Sequence, residues 1–251
     1  MIIDSHTHIE GRPDSPWLDP PETIIRLMNE AGIDKAVVMT YCDSPSHDEN
    51  YEPVNYVAES VKKYPDRLIG YARLNPSYIQ EAEALLLKAL KIYNMKGLKL
   101  HPYGYRSPPD SKNTIQLIKK AAQFNAPTLF HCGDENFTLP LQIARAVKLC
   151  PQATIILGHM GGYFHVEDAI NIAKEYKNVI LETSAMPYPA MIKKAVDAIG
   201  AHRVLYASDG PGCDPKLEVY KVKLAELTEN EENKIFYENI SEILDKVKIF
   251  R

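Results

Sequence analysis

Eight short β-rich runs recur along this chain with their starts 24 to 33 residues apart. That rhythm fits an alternating strand–helix architecture and little else. The runs are "IIDSHTH" (2–8), "KAVVMTY" (35–41), "RLIGYARL" (67–74), "KGLKLH" (96–101), "PTLFH" (127–131), "TIILGH" (154–159), "NVILET" (178–183) and "RVLYAS" (203–208). Most are near-continuous Val, Ile and Leu, as in strands buried on both faces, and Gly, Pro, Asn or Asp flank them. Helical patterns lie between: 21–31 ending at Gly32, a 3.6-residue apolar stripe over 77–94, and 111–124 opening on a capping Ser or Asp. "LPLQIARAVKLC", "VEDAINIAKEY" and "PAMIKKAVDAI" repeat the theme.

With 251 residues, 45% of them hydrophobic, there is apolar material for one large core. No linker or low-complexity segment divides the chain, so residues 1–251 are expected to form one domain. The expected fold is α/β, a parallel (β/α)₈ TIM barrel at its usual size. A doubly wound open sheet is the alternative, because periodicity does not report closure.

Composition also excludes some roles. The formal net charge is −4 and the pI near 6.1. With no run of Lys or Arg, a nucleic-acid partner is not expected. No apolar stretch approaches the roughly 20 residues that span a bilayer, and the start lacks the pattern of a secretory signal. Cys42, Cys132, Cys150 and Cys213 show no C-x-x-C spacing and read as reduced thiols of a cytoplasmic protein.

The histidines carry the functional signal. His6 and His8 are two apart at the end of the first strand and so share a face. His101, His131 and His159 end the fourth, fifth and sixth strands, and Asp209 follows the eighth. Five of eight histidines and an aspartate thus fall at strand C-termini, the end where barrels of this type build active sites. His6, His8, His131 and Asp209 together make a three-imidazole, one-carboxylate set. That set suits one divalent ion, Zn²⁺ by its donor chemistry, with positions open for water or substrate.

On "DSHTHI", "FHCGD", "LGHMGG", "ASDGP" and the late "IFYENISEIL" with Asn239, the chain resembles the amidohydrolase superfamily. Within it, the match is to the amidohydrolase-related (amidohydrolase 2) branch. The resemblance implies that His6, His8, His131 and Asp209 bind metal. It implies that His159, a ligand in two-metal members, here polarises or orients water or substrate. Two-metal members often place a carboxylated lysine or a glutamate on the fourth strand. Here Lys99 is read instead as a buried, salt-bridged lysine, with a second ion through Lys99 as the lesser alternative.

Further candidates line the mouth. His101 either touches substrate or bonds a neighbouring loop. Arg73 is the preferred clamp for a substrate carboxylate, ahead of Arg12 and Arg106. Trp17 walls the pocket or anchors its loop. Of Glu182 and Ser184 only one is expected to face inward, and Cys132 is expected in the outer shell. Tyr41, Tyr71 and Tyr103 are pocket or packing residues.

The expected activity is metal-assisted hydrolysis of an amide, ester or lactone-like carbon in a small molecule. Bound water ionises near about pH 7, Asp209 moves its proton, and metal and His159 stabilise the oxyanion. The alternative is metal-dependent, non-oxidative decarboxylation of a small unsaturated or aromatic acid, as in relatives resembling aminocarboxymuconate-semialdehyde decarboxylase. Hydrolysis is placed first because those relatives are expected to be longer, with inserted helices over the mouth. A metal-free lactonase or binder is a third reading. A homodimer is suggested by the resemblance alone.

Overall fold

The computed structural model describes residues 1–133 and 136–248. Eight parallel strands pair in sequence order: β1 (Ile3–His8), β2 (Lys35–Met39), β3 (Leu68–Arg73), β4 (Gly97–Leu100), β5 (Thr128–Phe130), β6 (Ile155–Leu157), β7 (Val179–Glu182) and β8 (Val204–Leu205). The ends of the sheet meet. Tyr206 O accepts from Ser5 N at 3.1 Å, His6 O from Asp209 N at 2.8 Å and Gly210 O from His8 N at 2.7 Å. These bonds close a (β/α)₈ TIM barrel of one domain and exclude the open doubly wound sheet.

The first helices are α1 (Pro21–Ala31), α2 (Pro53–Lys63), α3 (Ile79–Lys91) and α4 (Lys112–Gln123). After them come α5 (Pro140–Leu149), α6 (Val166–Glu175), α7 (Pro189–Ile199) and α8 (Pro215–Lys223). The predicted boundaries have local causes. Gly32 terminates α1 at φ +71° and returns its N–H to Met28 O. Ser111 caps α4 by accepting from Thr114 N. The helix expected over 77–94 begins as a 3₁₀ turn, Pro76–Tyr78, and ends at Lys91. The eighth run shortens because Tyr206 N leaves the ladder for Ile235 O at 2.9 Å.

Two helices not singled out from sequence, α2 and α8, complete the ring. Helix α8 hides its signal by inversion. Glu218 and Lys221 are buried as an ion pair, and Lys221 Nζ also donates to Thr183 O at 2.6 Å. Leu217 and Tyr220 face outward.

Packing forms two layers. Inside the barrel Ile3, Val37, Met39, Tyr71, Leu129, Ile156 and Leu205 interdigitate, and Ile240 and Leu244 plug the bottom. Those two belong to the closing helix, which follows α9 (Glu229–Asn233) and a π turn (Lys234–Glu238) as α10 (Asn239–Asp245). Asn239 Nδ2 ties it in place, donating to Ala201 O at 2.7 Å and Val204 O at 2.8 Å. Gly97 makes room for the Tyr71 ring, since a Cβ there would lie 2.5 Å from it. The outer layer, between strands and helices, includes Ile24, Leu86, Leu117, Ile143, Val196 and, as expected, Cys132. Each such side chain contributes about 1.5–3 kcal/mol on full burial. Among the described residues, no helix is long and apolar enough to cross a membrane.

Candidate metal centre

The C-terminal ends of β1, β4, β5, β6, β7 and β8 bring one cluster together. His6 and His8 leave β1 on the same side, with ring centroids 5.1 Å apart. Asp209 Oδ1 lies 3.2 Å from His8 Nε2 and 3.5 Å from His6 Nε2. These three ligand atoms lie within 4.8 Å of one another, close enough to share one ion.

The other nitrogen of each ring explains the aim. His6 Nδ1 donates to Glu182 Oε1 at 3.0 Å, and His8 Nδ1 faces Thr40 O at 3.3 Å. With Nδ1 protonated, each Nε2 turns a lone pair toward Asp209 Oδ1. Carboxylate–histidine pairs of this kind orient metal ligands and raise their basicity. Three electron-rich atoms facing one point repel one another, and Lys99 Nζ meets one of them, His6 Nε2, at 2.8 Å. The donor set therefore fits a divalent ion held by His6, His8 and Asp209.

Burial, then the nearby Lys99 ammonium, pushes His6 down to about 3, which keeps it neutral. His8 is lowered chiefly by burial as well. Glu182 is fully buried, which alone would raise it; its bond from His6 instead holds it near about 2, so it stays ionised.

His131 completes the arc differently from a simple fourth ligand. Ser184 Oγ donates to Glu182 Oε1 at 2.9 Å and so accepts from His159 Nδ1 at 2.8 Å. His159 Nε2 then accepts from His131 Nδ1 at 3.0 Å, which leaves the lone pair of His131 on Nε2. The four described residues His131, His159, Ser184 and Glu182 form one directed chain ending on a buried carboxylate. Asp134, the last residue of the "FHCGD" motif, lies outside the described residues.

Two expectations are corrected here. Glu182 and Ser184 both face inward, because residues two apart along a strand share a side. Lys99 is buried but forms no salt bridge among the described residues. Its Nζ donates to His6 Nε2 at 2.8 Å, and burial lowers its pKa to about 7. That nitrogen of His6 is the one an ion would take, so Lys99 must yield it when metal binds.

Two side chains reach the site only from left-handed backbone: His159 at φ +59° and Asp209 at φ +59°. Such conformations cost about 1–2 kcal/mol for a residue with a Cβ and concentrate at functional positions. Asp4 braces the second of these. Its Oδ1 accepts from Ser208 N at 2.9 Å and His6 N at 3.2 Å, linking the β8 end to β1. Sequence reasoning passed over Asp4, although it shares the parity of His6 and His8.

Around the mouth, Tyr41 stacks on His8 at 4.3 Å, and Trp17, 56% exposed, lies 5.6 Å from Tyr41. Arg73 is 8% exposed and engaged: Nε meets Asp43 Oδ1 at 2.5 Å and Nη2 meets His101 Nδ1 at 2.7 Å. His101 packs edge-on to His131 at 4.4 Å. Arg12 forms a surface pair with Asp14. Arg106 and Tyr103 line a cavity of about 400 Å³ with Asn136 and Phe137. Tyr71 lies deep in the barrel core.

This barrel, with its histidines and aspartate at the strand ends, defines a class. The family model Amidohydro_2, described as amidohydrolase, matches residues 3–246, and the chain belongs to that family. The chain is thus an amidohydrolase-superfamily enzyme by descent. A search of curated proteins finds no match. Among solved structures, an uncharacterised TIM-barrel protein from Bordetella bronchiseptica aligns with TM-score 0.81 at 19% identity, covering 98% of each chain. A dihydroxybenzoic acid decarboxylase from Polaromonas sp., with bound manganese and 2-nitroresorcinol, aligns at TM-score 0.76 and 18% identity. That match covers 97% of this chain and 96% of the decarboxylase. A 5-carboxyvanillate decarboxylase from Novosphingobium aromaticivorans, with manganese and a nitrobenzoic acid, gives TM-score 0.76 at 16% identity, covering 98% and 96%. The likeness spans nearly the whole of each chain, at identities that show the shared fold.

Proposed function

We propose that this protein is a metal-dependent, non-oxidative decarboxylase of a small hydroxylated aromatic or unsaturated acid. The observation that carries the reading is the convergence of His6 Nε2, His8 Nε2 and Asp209 Oδ1 on one point, with each Nδ1 committed elsewhere. What favours decarboxylation over hydrolysis is that several of the solved structures sharing the barrel are decarboxylases of hydroxylated benzoic acids, some with manganese bound. His6, His8 and Asp209 would hold one divalent ion, with His131, whose Nδ1 meets His159, the residue at the edge of that set. Zn²⁺ suits the donor set, and the neighbours point to Mn²⁺.

When bound, the ion supplies positive charge to the acid's oxygens; the chain does the rest. His8, Tyr41 and Trp17 form an aromatic wall against which a planar ring lies. Asp209 is held ionised by the neighbouring His8, so Oδ2, the oxygen that does not pair with His6 and His8, takes up a proton from solvent and delivers it to the carbon bearing the carboxylate. A C–H bond forms there, the C–C bond breaks, its electron pair returns to the ring, and CO₂ leaves. His159, fixed by Ser184 and His131, orients the acid. The substrate is a small molecule. A reduced-thiol cytoplasmic setting and a homodimer stand as proposals from the sequence, the latter read by light scattering.

The test is headspace CO₂ from protein loaded with Mn²⁺ or Zn²⁺ and offered 2,6-dihydroxybenzoate, 5-carboxyvanillate and simpler hydroxybenzoates. A parallel set of esters and lactones is followed by pH-stat. CO₂ release abolished by Asp209→Asn supports the reading. Ester or lactone turnover without CO₂ from any acid returns the site to hydrolysis.

A further inference from the structure

Arg73 looks from sequence like a carboxylate clamp, yet its guanidinium is spent inside the protein. Arg73 ends β3 and His101 follows β4, the strand beside it. The guanidinium is held by Asp43 at 2.5 Å, and its Nη1 lies 3.5 Å from Thr40 O. Its Nη2 meets His101 Nδ1 at 2.7 Å.

An arginine has only donors and keeps its proton at any working pH. His101 Nδ1 is therefore the acceptor, and the ring's hydrogen sits on Nε2. Among the described residues none forms a hydrogen bond with that Nε2. The ring itself lies in the wall of the metal centre, edge-on to His131 at 4.4 Å. The residue is half-buried, and Nε2 is not among the fully buried polar atoms left without a partner, so the nitrogen is reachable by a ligand.

We propose that Asp43, Arg73 and His101 form a fixed hydrogen-bonded chain whose output is the His101 Nε2–H, a donor to an oxygen of the bound acid. Its acceptor is the carboxylate or the hydroxyl beside it. Arg73 is a positioning residue, and His101 makes the contact. The identity of the ligand rests on the decarboxylase reading; the tautomer does not. A neutral donor on an arginine-braced ring selects for an acceptor oxygen at one place without adding a charge there. Arg73 reaching the ligand directly would instead favour any carboxylate.

Two measurements on the metal-loaded full chain test this. First, ¹⁵N NMR of histidine-labelled protein, assigned with His101→Gln, reads the ring tautomer. Nε2–H is expected in wild type, with loss of the single tautomer in Arg73→Leu. Nδ1–H at His101 overturns the proposal whatever the enzyme turns over. Second, calorimetry compares 2-hydroxybenzoate and benzoate. His101→Leu is expected to weaken one or both about 10- to 100-fold. His101→Gln, whose amide N–H falls near the Nε2 position, keeps most of the affinity. Loss confined to 2-hydroxybenzoate puts the donor on the hydroxyl; equal loss puts it on the carboxylate; both support the contact. Unchanged affinity in His101→Leu, at unchanged metal content, overturns it. Wild-type protein binding neither acid refutes the decarboxylase reading and the ligand half of the proposal, while the tautomer is still decided by NMR.

Discussion

Replacing Glu182 by Gln removes one charge and almost no volume, and it strikes the residue on which the site is organised. The carboxylate accepts from four donors: His6 Nδ1 at 3.0 Å, His159 N at 2.8 Å, Ser184 N at 2.7 Å and Ser184 Oγ at 2.9 Å. A glutamine offers one acceptor oxygen and a donating amide. Whichever way the amide lies, at least one buried N–H or O–H faces another donor, which costs about 1–3 kcal/mol. The remaining bonds fall from charge-assisted to neutral strength, roughly a halving of each. Relief of burying a charge offsets part of this. We expect a net loss of about 2–4 kcal/mol, which for a chain of this size lowers Tm by roughly 5–15 °C. The metal site should suffer separately. Without the carboxylate, His6 loses the partner that fixes its tautomer, and affinity should fall about 10- to 100-fold. Urea unfolding of metal-free protein reads the first effect, and competition against a chromogenic chelator reads the second. If Glu182→Gln binds metal within about threefold of wild type, the reasoning from Nδ1 to Nε2 is wrong.

Other perturbations probe other links. His8→Ala and Asp209→Ala should each cut metal content, measured by emission spectroscopy on purified protein, from about one equivalent to a small fraction; retention of a full equivalent would move the site elsewhere. Gly97→Ala drives a methyl into the Tyr71 ring and should destabilise by about 1–3 kcal/mol, with partial rescue by Tyr71→Leu. Burial raises Glu218 from 4.5 to about 7 against the pull of Lys221. The native state then holds a proton that the unfolded chain releases, so stability should decline as pH rises from 4.5 to 7, by at most about 3 kcal/mol. Glu218→Gln should flatten that slope in denaturant curves taken across the range.

The barrel was legible because its signal is repeated: eight apolar runs with helices between leave few topologies. The histidines were legible for a related reason, since strand ends are a defined place in that topology. Partners were not. Nothing in "LETSA" says that Glu182 holds both His6 and the His159 backbone, because the link crosses 176 positions. Asp43 and Arg73 belong to separate loop and strand ends, so the engagement of the guanidinium is a fact of three dimensions. Helix α8 was invisible for a local reason: burying Glu218 and Lys221 and exposing Leu217 erases the stripe by which an amphipathic helix is recognised.

The seam between β8 and β1 has a consequence for how the protein is made. Ser5 and Tyr206, 201 positions apart, meet there, and His6, His8 and Asp209 straddle the same join. On the ribosome the two histidines precede their carboxylate partner by roughly 200 residues of synthesis. Tight metal capture therefore reports completion of the ring. A ribosome-stalled series ending before or after residue 209 would date that event, and a barrel split into two co-expressed halves would regain its ion only on reassembly.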